Sequence, residues 1–270
     1  MNDRSTDPWL TRPGGLDEPP LIEQQRFFIP VTQPRLTWVV LGVNVVMFLV
    51  TVLFGLWQFG NWNLLSNLLP TLVIFGAKVN VLIAQGEVWR LLTATVLHAD
   101  ILHLLFNLYA LIALGYNVER YFGHGRFLLI YLISGLWGSF ASYATSPEIS
   151  VGASGAVFGL AGATAVYFWR YRENFGDEGR SILQNVLMVI GLNLVFGFTN
   201  AQIDNAGHIG GLIGGAAVAL GLLPTYQRPN TIQIGNQPLQ KLHRPGLETL
   251  WIVGHLLLLW LGVTLISPLY

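Results

Sequence analysis

Residues 150–160 read SVGASGAVFGL, a run of small and apolar residues around one hydroxyl group, that of Ser154. The run opens an apolar stretch that is close to the length of about 20 residues a helix needs to cross a bilayer. Of the 270 residues, 53% are hydrophobic and only 10% are charged. Soluble domains carry about 25% charged residues, so this chain cannot cover a globular surface with polar groups. The stretch is therefore predicted to be a membrane-spanning helix that begins at a serine.

Apolar stretches of this kind recur along the chain and predict an all-α polytopic membrane protein. A shorter apolar run, 64–76, contains Pro70 and is predicted to be an interfacial or partly embedded element of the long first loop. The last apolar stretch follows a polar linker, which indicates a six-helix bundle plus one C-terminal transmembrane helix. The seven predicted spans are 36–57, 98–117, 127–145, 152–169, 182–199, 206–224 and 248–267.

The same pattern divides the chain into four parts. We expect a flexible cytoplasmic tail over 1–35, a six-helix core over 36–224, a cytoplasmic linker over 225–247, and a further transmembrane helix with the C-terminus over 248–270. The net charge is zero, which gives no indication of nucleic-acid binding, and membrane lipids are the expected surroundings. The chain has no cysteine, which excludes disulfides, thiolate zinc sites and cysteine nucleophiles.

The basic residues predict the orientation in the membrane. Only Lys78 and Arg90 fall on one side, both in the first loop, while the other twelve Lys and Arg residues fall on the opposite side. By the positive-inside rule the N-terminus is then cytoplasmic and the C-terminus outside. The twelve are Arg4, Arg12, Arg26, Arg35, Arg120, Arg126, Arg170, Arg172, Arg180, Arg228, Lys241 and Arg244.

Polar residues occur at the starts of three predicted spans, where they are costly and indicate function. The second span opens with HADILHLLFN, which carries His103 and Asn107; the fourth opens with Ser154; the sixth opens with DNAGHIGG, which carries His208. In the predicted orientation all three spans run inward from the outer face. Since each residue adds about 1.5 Å, these side chains are expected in the outer half of the bilayer. His103 and Asn107, four apart, share a helix face.

Small residues at four-residue spacing predict that the fourth and sixth spans touch. The fourth span has Gly155, Gly159 and Ala163, and the sixth has Gly207, Gly211 and Gly215. Such stripes let two backbones approach closely within a membrane. A close contact there would bring Ser154 within reach of His208.

This set of residues has the chemistry of acyl transfer. A serine hydroxyl becomes a nucleophile when a neighbouring base takes its proton, and His208 is the base the sequence offers. No acid is placed to complete a triad, since Asp100 and Asp204 are predicted to be helix caps. Phe158 shares the helix face of Ser154 and could stack on the imidazole. Donors for an oxyanion could come from the Ser154 backbone N–H and from the His103 and Asn107 side chains.

The remaining titratable residues are predicted to be structural. His98 lies five residues before His103, which is not the i, i+4 spacing of a helical zinc pair, so no metal and no cofactor are expected. His98 is instead expected to make a hydrogen bond within the first loop. His124, between two glycines, is expected in a loop, His255 in packing, and Glu119 in a cap or an ion pair.

Taken together, these motifs resemble the rhomboid intramembrane serine proteases. The resemblance rests on GASG at 152–155, HLLFN at 103–107, EVWR at 87–90, and AGHIGG with Asn205 and His208, in that family's pattern, and it covers about 36–224. It implies a catalytic dyad of Ser154 and His208, His103 and Asn107 in the oxyanion hole, supporting roles for Gly152, Gly155 and Phe158, and transmembrane protein substrates. Phe158 stands where some members have tyrosine, so a phenolic hydrogen bond is lost.

Two other classes of membrane protein remain as alternatives. A transporter usually needs acids near the bilayer midplane for ion coupling, and the 14 Asp and Glu residues fall in tails, loops or helix ends. A non-catalytic relative that binds membrane clients would be expected to lack Ser154 or His208. Labelling of Ser154 by a fluorophosphonate separates the enzyme from both alternatives.

Overall fold

The structure, a computed structural model, describes residues 27–59, 64–200, 203–230, 237–242 and 244–270. Its long elements are helices, which confirms the predicted all-α polytopic fold class. Most of the predicted tail (1–26) lies outside the described residues, as do 231–236 and 243 of the predicted linker. The division of the chain at 35, 224 and 247 stays a prediction. The helices are α1 (Leu36–Phe59), α2 (Leu64–Ile74), α3 (Asn80–Ala84), α4 (Arg90–Thr93), α5 (Ile101–Phe122), α6 (His124–Thr145), α7 (Ser154–Arg170), α8 (Arg172–Thr199), α9 (Asn205–Leu222) and α10 (Pro245–Ile266).

Six helices within the described ranges are long and apolar enough to cross a membrane: α1, α5, α6, α8, α9 and α10, the last counted through Leu269. The remaining predicted span, the fourth (152–169), corresponds to α7, which has 17 residues and is shorter than these. Residues 156–164 of α7 are all buried. Because other helices enclose α7, it needs less length than a helix that faces lipid along its whole side.

The start of α8 differs from the prediction. Hydropathy placed it at 182, whereas the helix begins at Arg172 and contains one non-helical residue, Gly176, with φ 54° and ψ −133°. The helical turns before residue 182 carry charged residues. A prediction based on apolar runs therefore omits these turns, although their backbone is helical. Gly176 permits the break because positive φ carries little cost for glycine.

The buried side chain of Arg90 links the short helices of the long first loop. The predicted apolar element 64–76 contains α2, with Pro70 inside it. Arg90 donates from Nη1 to the carbonyl oxygens of Val73 (2.7 Å) and Ala77 (3.1 Å), and its Nε lies 2.6 Å from Glu87 Oε2. These bonds fasten the EVWR motif to the end of α2.

A buried carboxylate joins α5 to the start of α1. Glu119 accepts hydrogen bonds from the backbone N–H groups of Arg35, Leu36 and Thr37 at 2.8–2.9 Å, and from the Thr37 hydroxyl at 2.6 Å. This confirms a capping role for Glu119, although the capped helix is α1 and not its own. The expectation for His124 is wrong, because His124 is the first residue of α6 and the glycine after it is helical too. Its Nδ1 lies 2.5 Å from Glu119 Oε1.

The inner packing of the bundle depends on backbone contact between α7 and α9. A Cβ atom at Gly211 would lie 2.0 Å from the Gly155 carbonyl oxygen, and one at Gly215 would lie 2.2 Å from the Gly159 Cα. These distances are far below van der Waals contact. The predicted contact between the small-residue stripes of the fourth and sixth spans is therefore confirmed as a contact between α7 and α9.

Two helices hold α10 beside the bundle. Trp137 on α6 donates from Nε1 to His255 Nδ1 at 3.1 Å, and Trp251 donates to the Ala217 carbonyl on α9 at 3.1 Å. Arg126 and Glu248 form an ion pair at 2.6 Å. His255 is therefore a packing residue, as predicted, with a specific hydrogen-bond partner.

A smaller unit contains the described residues 27–30, 226–230 and 237–242. In its described part β1 (Phe27–Phe28) pairs in parallel with β3 (Gln237–Pro238), and β2 (Thr225–Gln227) pairs with β4 (Gln240–Leu242). The Arg228 guanidinium lies over the Phe27 ring at 5.3 Å.

Candidate active site

Ser154 is the first residue of α7, directly after a turn that only glycine can form easily. Gly152 has φ +133°, and its N–H donates to the Ala94 carbonyl at 2.9 Å. A Cβ at Gly152 would lie 2.7 Å from His103 Nε2 and 3.7 Å from Ser154 Oγ. The serine hydroxyl and the His103 imidazole therefore flank the same glycine.

His208 lies in the first turn of α9, and its ring stacks on Phe158 of α7. The ring centroids are 4.3 Å apart and the planes differ by 11°. Phe158 is one helical turn beyond Ser154, so the stack holds the imidazole beside the helix that begins with the serine.

Three helices meet at this point through glycine backbones. A Cβ at Gly138 of α6 would lie 2.8 Å from the Gly207 carbonyl oxygen and 3.1 Å from the Gly155 Cα. A cleft of about 290 Å³, including its open mouth, lies here. Its polar lining consists of Ser139, Ser150, Ser154 and Asp204.

Within the described residues no hydrogen bond joins Ser154 Oγ to the His208 ring. His208 Nδ1 is buried and has no hydrogen-bond partner there. In the part of the chain that the structure describes, no carboxylate is hydrogen-bonded to the ring in the manner of a triad, and the stack on Phe158 is the contact that sets its plane.

Asn107 is buried one turn after His103, and its Nδ2 donates to the His103 carbonyl at 2.9 Å. The structure thus places Asn107 on the predicted face of α5, with its amide engaged by its own helix. The described residues contain no hydrogen bond between Asn107 and Ser154.

His98 has the Val96 backbone of the first loop as a neighbour, but the hydrogen bond expected there is not well formed. Its ring is fully buried, and neither ring nitrogen makes a hydrogen bond of normal geometry among the described residues. Its ring instead meets the His103 ring edge-on, with centroids 5.2 Å apart.

Comparison with known proteins identifies the group to which this arrangement belongs. A family model described as the rhomboid domain matches residues 85–225, slightly more than half of the chain. The chain belongs to the rhomboid family. The match includes all three helix starts that carry His103, Ser154 and His208. It ends at the last residues of α9 and the start of β2.

Other rhomboids resemble the chain to different extents. It is 50% identical over 192 residues to rhomboid protease GluP of Bacillus subtilis (strain 168), covering 70% of this chain and 36% of that protein. It is 35% identical over 173 residues to putative rhomboid protease YdcA of the same organism, covering 63% of this chain and 84% of that protein. Rhomboid protease AarA of Providencia stuartii is 29% identical over 239 residues, covering 80% and 84%. The chain thus spans little more than a third of GluP. It spans 54% and 50% of two RHOMBOID-like proteins of Arabidopsis thaliana.

Both predicted acidic caps are present in this rhomboid. Asp100 accepts the His103 N–H at 2.8 Å, and Asp204 accepts the Gly207 N–H at 2.8 Å. Sequence reasoning missed the second partner of Asp204, the Ser150 hydroxyl at 2.6 Å. The residues are 54 positions apart, and nothing in their local sequence indicates the contact.

Sequence reasoning also missed the role of Lys78. Its side chain is fully buried, and its Nζ donates to the carbonyl oxygens of Ser146 (2.8 Å) and Glu148 (2.6 Å), with Ser142 at 3.4 Å. The carbonyls of Ser146 and Glu148 lie beyond Thr145, the last residue of α6, where carbonyl groups have no partner within the helix. The sequence did carry one indication of this role, namely a lysine within an apolar part of the first loop.

Proposed function

We propose that this rhomboid is an intramembrane serine endopeptidase that hydrolyses peptide bonds in or near transmembrane segments of other proteins. The observation that carries the proposal is the convergence of three helix starts. Ser154 and His103 flank Gly152, and the His208 ring stacks on the residue one turn beyond Ser154. Names of similar rhomboids include the word protease, which supports the same activity.

In the proposed reaction Ser154 is the nucleophile and His208 the general base. Ser154 Oγ attacks the carbonyl carbon of the scissile bond, and its proton passes to His208 Nε2, the nitrogen left available because Nδ1 is buried. His208 then gives that proton to the leaving amine, which leaves an ester on Ser154. Water attacks the ester, its proton passes through His208 to Ser154, and the carboxylic product departs.

The oxyanion of each tetrahedral intermediate needs fixed donors. We assign these to the Ser154 backbone N–H, which is at a helix N-terminus, and to the His103 and Asn107 side chains. Gly152 and Gly155 support the site by permitting the turn and the helix contact. Loss of one donor typically costs about 10²–10³-fold in kcat, which we expect for Asn107→Ala.

The substrate class follows from the surroundings of the site. A membrane-embedded helix hides its carbonyls in its own hydrogen bonds, so cleavage requires local unwinding. We infer that substrate enters sideways between α5 and α8, at the end of α8 near residues 194–198. Only four α8 residues are buried, two of them glycines, and Phe106 on α5 and Phe198 on α8 are both exposed. Crosslinks between cysteines introduced on these helices should block cleavage; full activity of crosslinked protein would refute this route.

We further propose that the membrane is the bacterial plasma membrane, with the N-terminus cytoplasmic and the C-terminus outside. The distribution of Lys and Arg supports this orientation.

The activity is tested in proteoliposomes with single-pass membrane proteins as substrates. The wild type should cleave some of them, and Ser154→Ala or His208→Ala should cleave none while accumulating to the same level. Equal cleavage by the wild type and Ser154→Ala would refute the proposed function.

A further inference from the structure

The carboxylate of Asp204 is bonded to two separate chain segments. Its Oδ1 accepts the Gly207 N–H at 2.8 Å, and its backbone carbonyl accepts the His208 N–H at 3.0 Å. These two bonds organise the first turn of α9. Its Oδ2 accepts the hydroxyl of Ser150 at 2.6 Å, four residues before Ser154. A helix cap requires only one carboxylate oxygen, so the second bond is additional to capping.

Ser150 is itself held in place by its backbone. It forms an isolated antiparallel bridge with Lys78, with N···O distances of 3.0 and 3.2 Å. The Lys78 ammonium is anchored on the carbonyls of Ser146 and Glu148. Two residues further on, Gly152 is bonded to Ala94. The segment leading to Ser154 is therefore fixed to the first loop, and Asp204 is its side-chain link to α9.

We propose that Asp204 is a positioning residue that, through Ser150, sets the distance between the Ser154 segment and the helix carrying His208. The proposal rests on the proposed function, because its effect is on the reaction of these two side chains. Both Ser150 and Asp204 line the cleft that contains Ser154. A hydroxyl-to-carboxylate bond is charge-assisted, and such bonds are shorter and stronger than those between neutral groups, which suits it to this task.

A positioning role has a definite kinetic consequence. A displacement of about 1 Å between reacting groups can cost about 10²-fold in rate without changing substrate affinity. Losing the Ser150–Asp204 bond should therefore lower kcat and leave KM nearly unchanged. A purely structural bond would instead lower the amount of folded protein.

The test uses the full chain in proteoliposomes with a cleavable single-pass substrate. Ser150→Ala removes the bond and keeps the cap on Gly207, Ser150→Thr keeps a hydroxyl, and Asp204→Ala removes both. Ser146→Ala is the matched control, because it also removes a serine hydroxyl from the segment between α6 and α7. The Ser146 Oγ accepts the Glu148 N–H at 3.3 Å and is not bonded to Asp204. Fluorophosphonate titration of Ser154 gives the concentration of active enzyme, so that kcat refers to folded protein only.

We expect Ser150→Ala to lower kcat about tenfold with KM within about twofold. Ser150→Thr should recover most of the loss, Ser146→Ala should match the wild type, and Ser150→Ala should have no further effect in the Asp204→Ala background. The proposal would be overturned if Ser150→Ala kept the wild-type kcat, or if Ser150→Ala lowered kcat equally in the wild-type and Asp204→Ala backgrounds. It would also be overturned if Ser150→Thr recovered none of the lost kcat, or if Ser146→Ala lowered kcat as much as Ser150→Ala. An inert wild type would overturn the proposed function and this proposal together; an active wild type with unaffected Ser150→Ala would overturn this one alone.

Discussion

The reactivity assigned to Ser154 depends on a residue that has no side chain. Gly152 brings the chain through positive φ and leaves room for the His103 ring against the turn. Gly152 therefore meets two separate requirements: a positive backbone φ and the absence of a side chain next to the His103 ring. They can be separated, because Gly86 also has positive φ, +106°, with nothing within 4 Å of a built Cβ.

Gly152→Ala is expected to abolish proteolysis, because the added methyl would lie 2.7 Å from the His103 ring and displace it. Gly86→Ala should lower the free energy of unfolding by about 1 kcal/mol through backbone strain and keep its activity. Cleavage rates and unfolding curves of the two variants measure the difference. Activity lost equally in both would show that strain, and not the His103 contact, matters.

At the scale of elements, the contact of α7 with α9 joins the serine helix to the histidine helix. The backbones touch at Gly155 and Gly211, which leaves no room for a side chain between the two helices. Gly211→Ala should separate them, because its Cβ would lie 2.0 Å from the Gly155 carbonyl oxygen. We expect loss of activity and a lower free energy of unfolding by about 1–3 kcal/mol.

Gly254→Ala on α10 is the control for this variant, since nothing lies within 4 Å of its built Cβ. It should keep full activity and wild-type stability or slightly more. An active Gly211→Ala would show that the α7–α9 contact tolerates displacement and does not set the site.

Lys78 binds carbonyl oxygens at the C-terminal end of α6 through its ammonium group. Lys78→Met removes charged hydrogen bonds and should lower the free energy of unfolding by about 1.5–3 kcal/mol at pH 7. Denaturant titration in detergent micelles measures this value. An unchanged midpoint would show that the carbonyls of Ser146 and Glu148 find other partners.

The same lysine predicts a pH dependence. Burial lowers the pKa of Lys78 to about 8, against 10.5 for an unperturbed lysine. Between these values the unfolded chain holds a proton that the folded chain has released, so the free energy of unfolding rises with pH across about 8 to 10.5. The stability difference between wild type and Lys78→Met should grow in this window. A difference that falls as pH rises would contradict the lowered pKa.

For the whole molecule, the uneven distribution of Lys and Arg predicts opposite locations for the two termini. A reporter enzyme that is active only outside the cytoplasm should be active when fused after Tyr270 and inactive when inserted at residue 230. The reverse pattern would contradict the proposed orientation.

The large features of the molecule could be predicted from sequence because they follow from local composition. Apolar runs gave seven helices near their observed positions, and glycine spacing gave the α7–α9 contact. The start of α8 was missed because charged turns beyond the apolar run are still helical. The bonds of Ser150 to Asp204, and of Glu119 to α1, depend on residues far apart in sequence, and no local pattern encodes them.

The most direct test of the central claim is covalent labelling of Ser154 by a fluorophosphonate in membranes, mapped by peptide mass spectrometry. The wild type should be labelled at Ser154 alone, and His208→Ala, present at the same level, should lose the label because no base remains to take the hydroxyl proton. Undiminished labelling of Ser154 in His208→Ala, or no labelling of the wild type, would contradict a dyad formed by these two residues.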